Sequence, residues 1–147
     1  MRNVNVSRQI QSSASGVWDV LADFPNVADW NSGVKTSYAT GESSGGVGAT
    51  RHCDLSPAGA LEETVREWEP SKKMVVSIDS ASRLPIKKGL VTFDLTAQGD
   101  DLTTVTVDYD YETKWGLLGR AMGGLLDRQL TRGFDGFLTD LDTAATS

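Results

Sequence analysis

The sequence has very few residues that form disulfides or bind soft metals. Its 147 residues include one cysteine, Cys53, and one histidine, His52. One cysteine excludes an internal disulfide, and the two residues together are too few for a usual structural zinc site. No segment resembles a calcium-binding loop. We therefore expect no disulfide framework, no metal site and no cofactor.

Long apolar runs and basic clusters are also missing from the sequence. The nearest approach to a membrane span, residues 115–126, carries Arg120 and falls short of the roughly 18 apolar residues required. The first five residues contain no apolar signal core. The net charge is −6 and the 14 Lys and Arg residues are scattered, so nucleic acid and anionic membranes are poor candidate partners. We expect a cytoplasmic protein, monomeric or homodimeric, without stable membrane insertion.

The first part of the chain has a strand pattern followed by a helical pattern. Val4, Val6 and Ile10 alternate with polar residues up to about residue 11, which predicts a half-buried strand. Ser12 or Ser13 can then cap a short helix, which Pro25 ends, and a second helical turn is expected over 27–30.

Six further strands are predicted between turn-forming segments, over 34–40, 48–55, 61–68, 73–78, 87–96 and 102–111. The connections are short and contain Gly, Pro, Ser and Asp, which favours antiparallel hairpins between sequential strands. The glycine-rich stretch 41–48 lacks the Gly-Lys-Ser/Thr ending of a phosphate loop, so it is interpreted as a hairpin loop. The size of the chain predicts one domain over residues 1–147.

After Trp115 the apolar residues recur at helical spacing. The stripe begins at Leu118 and continues through Leu130 to Leu141, and it predicts one helix about 35 Å long at roughly 1.5 Å per residue. Its five glycines suggest close helix packing, or room for a ligand and a flexible lid. The order of elements predicts an α+β fold in which a seven-stranded curved antiparallel sheet grips this helix, with two short helices after the first strand and an internal pocket.

Several segments resemble the START-like helix-grip superfamily, specifically its polyketide cyclase, dehydrase and lipid-transport branch. The resemblance is carried by residues 14–24 with Trp30 and Val34, by 48–51, by 61–65 with 68–70, and by Tyr111 before 116–120. It covers nearly the whole chain. It implies an amphiphilic cavity between the sheet and the long helix, which relatives use for aromatic polyketides, sterols, lipids or plant hormones.

The plant abscisic acid receptors, distant members of the superfamily, imply three site residues by local motif. Their carboxylate-binding lysine, a strand arginine and a ligand-facing glutamate correspond to Lys35, Arg51 and Glu63. Their gate and latch loops correspond to residues 56–60 and 82–85. The gate leucine and the latch histidine are missing here, so we do not predict hormone-triggered docking to a phosphatase.

Strand alternation independently places Arg51 and Glu63 on inward-facing sets of residues. Leu61, Glu63, Val65 and Glu67 share one face of the fourth strand, and Trp68 lies on the other. A charge facing inward costs several kcal/mol unless it is paired or hydrated. The pair is therefore either a polar anchor in the pocket or a structural ion pair between strands. In the pocket, Glu63 is the candidate general base.

Tyr109 and Tyr111 share the inward face of the last strand, where they either donate hydrogen bonds to a ligand or only cover the core. Lys35 reaches the cavity only if Val34 points away from it. His52 and Cys53 point to opposite faces of their strand, so they cannot form a catalytic pair, and Cys53 is interpreted as a small buried residue.

Three functions remain open at this point. The first is a binding protein for a small hydrophobic or amphipathic molecule, such as a lipid or a polyketide-like aromatic compound. The second is a cyclase or dehydrase in which Arg51 polarises a carbonyl group and Glu63 or a tyrosine moves a proton. The third is a chaperone-like module for a protein partner, although the sequence shows no obvious exposed apolar stripe.

Overall fold

The computed structural model describes residues 1–147 as one antiparallel sheet with helices packed on its inner face. The strands are β1 (Arg2–Ile10), β2 (Thr36–Ala39), β3 (Thr50–Asp54), β4 (Ala60–Glu69), β5 (Lys73–Ser82), β6 (Ile86–Gly99) and β7 (Leu102–Thr113). The helices are α1 (Ala14–Ala22), a 3-10 helix (Phe24–Asp29), α2 (Gly116–Ala121) and α3 (Gly123–Thr146). The strand order is β1-β7-β6-β5-β4-β3-β2, so the first and last strands of the chain pair with each other. The predicted α+β helix-grip architecture with seven strands is confirmed.

The first turn of helix α1 forms where the sequence predicts a cap. The backbone N–H of Gly16 donates to Ser13 Oγ at 3.0 Å, which satisfies one of the free amides at the helix start. Val17, Trp18 and Leu21 of α1 are buried in the core. The chain then enters the 3-10 helix, with Pro25 in its first turn.

Strand β4 departs from simple alternation. A β-bulge shifts the pairing of β4 with β5 between Val65 and Glu67. The extra residue reverses which side chains face inward at the end of the strand. Glu67 is therefore exposed, while the Trp68 ring packs edge to face against Trp18 with 5.1 Å between the ring centres. The predicted inward position of Glu67 is therefore wrong.

The C-terminal helix is divided near Met122 instead of being continuous. Leu118 and Leu125, which the apolar stripe predicts to be buried, are 61% and 54% exposed. Leu126 is the first side chain of the apolar stripe that is buried, and Leu138 and Leu141 are the least exposed. No helix combines the length and the apolar content that crossing a bilayer requires.

The helix glycines fall into two groups. A Cβ atom on Gly119 would lie 2.1 Å from the Lys114 carbonyl oxygen, and one on Gly123 would lie 2.3 Å from the Arg2 guanidinium. Gly119 needs glycine because the neighbouring atom belongs to the backbone, whereas at Gly123 a larger residue would displace the Arg2 side chain. A Cβ atom on Gly124, Gly133 or Gly136 would meet nothing within 4 Å, so close packing does not explain those three.

Candidate functional site

A cavity of about 230 Å³ lies between helix α3 and the inner face of strands β3 to β6. Most of its wall is apolar, formed by Val27, Val34, Cys53, Leu55, Leu61, Ile78, Val91, Phe93, Leu130, Phe134 and Phe137. Asn31, Arg51, Glu63 and Gln129 are the polar side chains of the wall, and Gly33 and Gly133 complete it. Gly33, Gln129 and Gly133 are exposed, so the cavity opens between α3 and the segment before β2. Its volume is slightly below the roughly 300–1,000 Å³ of pockets for drug-sized ligands.

Arg51 and Glu63 form a buried ion pair in this wall. They are direct partners across β3 and β4, and only 8% and 7% of their surfaces are exposed. Arg51 Nε donates to Glu63 Oε1 at 3.0 Å. Arg51 Nη1 also donates to the Phe24 carbonyl at 2.7 Å, and the guanidinium carbon lies 3.8 Å from the centre of the Phe24 ring. The 3-10 helix and two strands therefore hold the guanidinium in one orientation.

The ion pair retains unused hydrogen-bonding capacity. Glu63 Oε1 accepts both from Arg51 and from the Cys53 thiol, at 3.0 and 3.2 Å. Glu63 Oε2 and Arg51 Nη2 make no hydrogen bond within the protein. One acceptor oxygen and one donor nitrogen with two N–H groups are thus available to a molecule in an otherwise apolar cavity.

Cys53 is a poor nucleophile in this position. Its side chain is 1% exposed and its thiol hydrogen is directed at Glu63. Burial, followed by the charge of Glu63, raises the pKa of Cys53 far above its ordinary value. His52 lies on the opposite face, where its ring stacks on Tyr38 and its Nδ1 contacts Glu62. No Cys–His pair forms, as the alternation of β3 predicts.

Tyr109 is buried directly beside the cavity. Its ring meets Phe134, a residue of the cavity wall, edge to face at 5.3 Å. Its hydroxyl has no hydrogen-bond partner and lies against Gly89, where any larger residue would collide with it. Burial, followed by the charge of Glu63, raises the pKa of Tyr109, so the hydroxyl keeps its proton.

Tyr111 faces the helix instead of the cavity. Its hydroxyl donates to Asp127 Oδ1 at 2.5 Å, and Arg2 binds the same carboxylate through Nη2 at 2.6 Å. Burial raises the pKa of Tyr111 to about 12. The Arg2–Asp127–Tyr111 cluster joins the two paired strands β1 and β7 to the first turns of α3.

Lys35 is exposed and is not part of the cavity wall, which Val34 lines. Of the five residues that the sequence indicates as ligand-binding, only Arg51 and Glu63 therefore line the cavity. The sequence reasoning missed Asn31 and Gln129, which lie at the rim. Gln129 precedes Gly133 by one helical turn, and this spacing is the signal that could have indicated it.

The two loops proposed as gate and latch are in contact. Gly59 in the first loop lies so close to the Ser82 carbonyl oxygen that a Cβ atom there would be 2.0 Å from it. Leu55 and Leu61, which flank the first loop, both line the cavity. The loops therefore form one unit where β4 begins and β5 ends.

Comparison with known proteins gives a family and a set of similar folds. The sequence matches the family described as "Polyketide cyclase / dehydrase and lipid transport" over residues 1–146. No curated protein matches the sequence.

Among solved structures, a START superfamily protein from Mycobacterium smegmatis has a TM-score of 0.82 at 15% identity, with 98% of this chain and 97% of that chain covered. The Zhui aromatase/cyclase from Streptomyces sp. R1128 has a TM-score of 0.81 at 16% identity, with 99% and 93% covered. Norcoclaurine synthase from Thalictrum flavum, solved with dopamine and hydroxybenzaldehyde, has a TM-score of 0.74 at 15% identity, with 97% and 84% covered. At these identities the structures establish a shared fold.

Proposed function

Because the chain belongs to the polyketide cyclase/dehydrase and lipid transport family, we propose that it binds a small amphipathic molecule in the cavity between the sheet and helix α3. The Arg51–Glu63 pair is the polar anchor for that molecule. Its apolar part lies against the phenylalanine side chains of the wall, Phe93, Phe134 and Phe137.

The unused donor and acceptor of the ion pair carry this proposal. The buried polar side-chain atoms that lack a partner are Trp30 Nε1 and Tyr109 Oη, so Arg51 Nη2 and Glu63 Oε2, which are not among them, can be reached from the cavity. Here Arg51 Nη2 and Glu63 Oε2 are left without protein partners beside an apolar space. A carbonyl or carboxylate oxygen fits the arginine side, and a hydroxyl group fits the glutamate side.

The cavity volume sets the size of the ligand. About 230 Å³ suits a molecule smaller than a typical drug, such as one with one or two fused rings or a short acyl chain. The three aromatic rings of the wall favour a planar ligand, because aromatic pairs gain about 0.5–1.5 kcal/mol beyond the burial of their area.

Native mass spectrometry of freshly purified protein tests the proposal, followed by calorimetric titration with hydroxylated aromatic acids, aromatic ketones and short fatty acids. We expect one ligand per chain. Arg51→Lys should weaken binding about tenfold or more, because it keeps the charge and loses the planar fork. Arg66→Lys is the matched control, since Arg66 lies on the exposed side of β4. Equal affinity of the two variants, or no binding by the native protein, would refute the proposal.

A second candidate function is catalysis of a cyclase or dehydrase type. Two of the similar folds are named as an aromatase/cyclase and a synthase, and Glu63 Oε2 is free to accept a proton from a bound molecule. In this case Glu63→Gln should abolish turnover of an activated aromatic ketone while calorimetric binding persists. Turnover that survives this substitution would exclude Glu63 as the base.

A further inference from the structure

The positive charge of this acidic protein is concentrated at one end of the molecule. Residues 81–90 and 113–134 contain seven of the 14 Lys and Arg residues and one of the 20 acidic residues, Asp127. Two more acidic residues border them on β7: Glu112, which contacts Lys88 at 3.7 Å, and Asp110, which lies opposite Leu90. The two segments are adjacent, because the backbone N–H of Lys114 donates to the Pro85 carbonyl at 2.9 Å and Ile86 pairs with Thr113. We call the surface that they form the basic end.

Most of the cations of the basic end have no partner. Arg83, Lys87, Arg120, Arg128 and Arg132 are exposed and form no ion pair or side-chain hydrogen bond. Outside the basic end, five of the other seven cations are paired with carboxylates. The acidic residue of the basic end is itself engaged by Arg2.

The same end carries exposed apolar side chains. Leu117 is 81% exposed, and Trp115, Leu118 and Leu125 are each more than half exposed. The leucines lie along helix α2 and the first turn of α3, and Arg128 and Arg132 continue the same side of the helix. Leucines at such exposure on a fixed helix form an apolar surface that is bordered by cations.

The backbone holds this surface in place. Gly119 packs against the Lys114 carbonyl, which fixes α2 on the end of β7. Trp115 has a φ of 67° and Arg83 a φ of 63°, a conformation that is uncommon for large side chains. Two of the three non-glycine residues with positive φ therefore present a tryptophan and an arginine at the basic end.

We propose that the basic end docks on an anionic lipid membrane. Lysine and arginine near such a surface attract its headgroups, while leucine and tryptophan enter the interface. A second copy of the chain is a poor occupant, because a symmetric contact would bring two basic ends together. The net charge of the chain is negative, and the cations of the basic end come from two separate segments of the sequence. For these two reasons the sequence alone indicates anionic membranes as poor partners.

The basic end also borders the mouth of the cavity. Gln129 at the rim lies one helical turn after Leu125. A molecule that enters from a membrane would therefore travel a single turn of α3 to reach the opening. This consequence rests on the proposed ligand binding, whereas docking itself does not require the cavity.

Flotation with vesicles tests the docking. We expect the protein to float with vesicles of phosphatidylcholine and phosphatidylserine, not with phosphatidylcholine alone, and to be released by high salt. Arg120→Gln combined with Arg128→Gln should weaken binding about 25-fold, at roughly fivefold per cation. Leu117→Ser combined with Leu118→Ser should weaken it about tenfold or more, through the lost apolar contact.

The matched control combines Val47→Ser, in the loop between β2 and β3, with Lys72→Gln, in the turn between β4 and β5. It removes one exposed apolar side chain and one exposed cation outside the basic end, so it should bind vesicles as the native protein does. No flotation with anionic vesicles would overturn the proposal. So would vesicle binding that is insensitive to the leucine substitutions, since it would show that charge alone attaches the protein and that the apolar surface has no part in docking. Self-association that the leucine substitutions abolish would identify the surface as a contact between copies.

Discussion

The two halves of helix α3 have the same apolar periodicity and opposite surroundings. In the second half, Leu138 and Leu141 are at most 1% exposed, and Arg8 of β1 binds Asp142 at 2.7 Å. In the first half, Leu125 is exposed and Gly133 borders an open cavity. The second half closes the core, whereas the first half, apart from the buried Leu126, leaves open space and exposed apolar surface.

The groups on which the two proposals rest are those that the structure leaves without partners. The free hydrogen-bonding groups of Arg51 and Glu63, the open space at Gly133 and the exposed Leu117 all lie around the first half of α3 or the cavity below it. In the second half, Phe137 reaches the cavity wall, whereas Leu138 and Leu141 are buried in the core and do not line the cavity.

The largest expected difference between the halves is the effect of leucine truncation. Leu138→Ala should lower the free energy of unfolding by about 3 kcal/mol, because the buried isopropyl group of the leucine is replaced by a cavity. Leu130→Ala should cost only about 1 kcal/mol, since Leu130 already borders an empty space. Urea denaturation measures both values. Equal losses would show that the two halves are packed to the same degree.

The Arg2–Asp127–Tyr111 cluster should be the main stabilising contact of the first half. Asp127→Asn should cost about 1–2 kcal/mol at neutral pH, a value reduced for partial exposure of the group. The Arg2 hydrogen bond, supported by Tyr111, lowers the pKa of Asp127. The stabilisation is therefore complete above the ordinary pKa of about 4 and is lost as the pH falls through the lowered folded value.

The measurement is the free energy of unfolding of both proteins as a function of pH. The difference between native protein and variant should shrink below about pH 4. Asp135→Asn, at an exposed residue without an ion pair, is the control and should show no such difference. A difference that is constant with pH would exclude the charge of Asp127 as its cause.

Substitution of two helix glycines by alanine should have smaller effects on stability, of opposite sign. Gly136→Ala should stabilise the protein by up to about 1 kcal/mol, because its Cβ atom meets open space within a helix. Gly119→Ala should destabilise it, since the new atom would collide with the Lys114 carbonyl. Thermal unfolding should thus shift in opposite directions for the same chemical change. Two shifts of the same sign would contradict the structure.

The smallest expected effect is that of Leu118→Ser on stability. The side chain is 61% exposed, so the free energy of unfolding should change by no more than about 0.5 kcal/mol. A loss comparable to that of Leu138→Ala would mean that α2 is buried in solution.

Much of the fold follows from local sequence signals. The Ser13 cap, the period of two in β1 and the turn residues between strands each depend on neighbours in the chain, and all are confirmed. The inward positions of Arg51 and Glu63 follow from the same alternation.

The predictions fail where the outcome depends on distant parts of the chain. The bulge before Glu67 depends on pairing with β5, which the sequence of β4 does not reveal. The periodicity of Leu118 and Leu125 identifies a helical face, but what covers that face depends on where the sheet ends. The partner of Tyr111 is Asp127, which is set by the placement of α3.

The pairing of β1 with β7 has a consequence for how the chain acquires its structure. Val6 lies opposite Val107, so the sheet is completed only when β1 and β7, the two strands that are furthest apart in the sequence, pair with each other. Contacts of this separation require closure of a long loop, which slows folding and favours late assembly. During synthesis, β1 must therefore wait for β7 to emerge, and its Val4, Val6 and Ile10 side chains stay without their final neighbours until then.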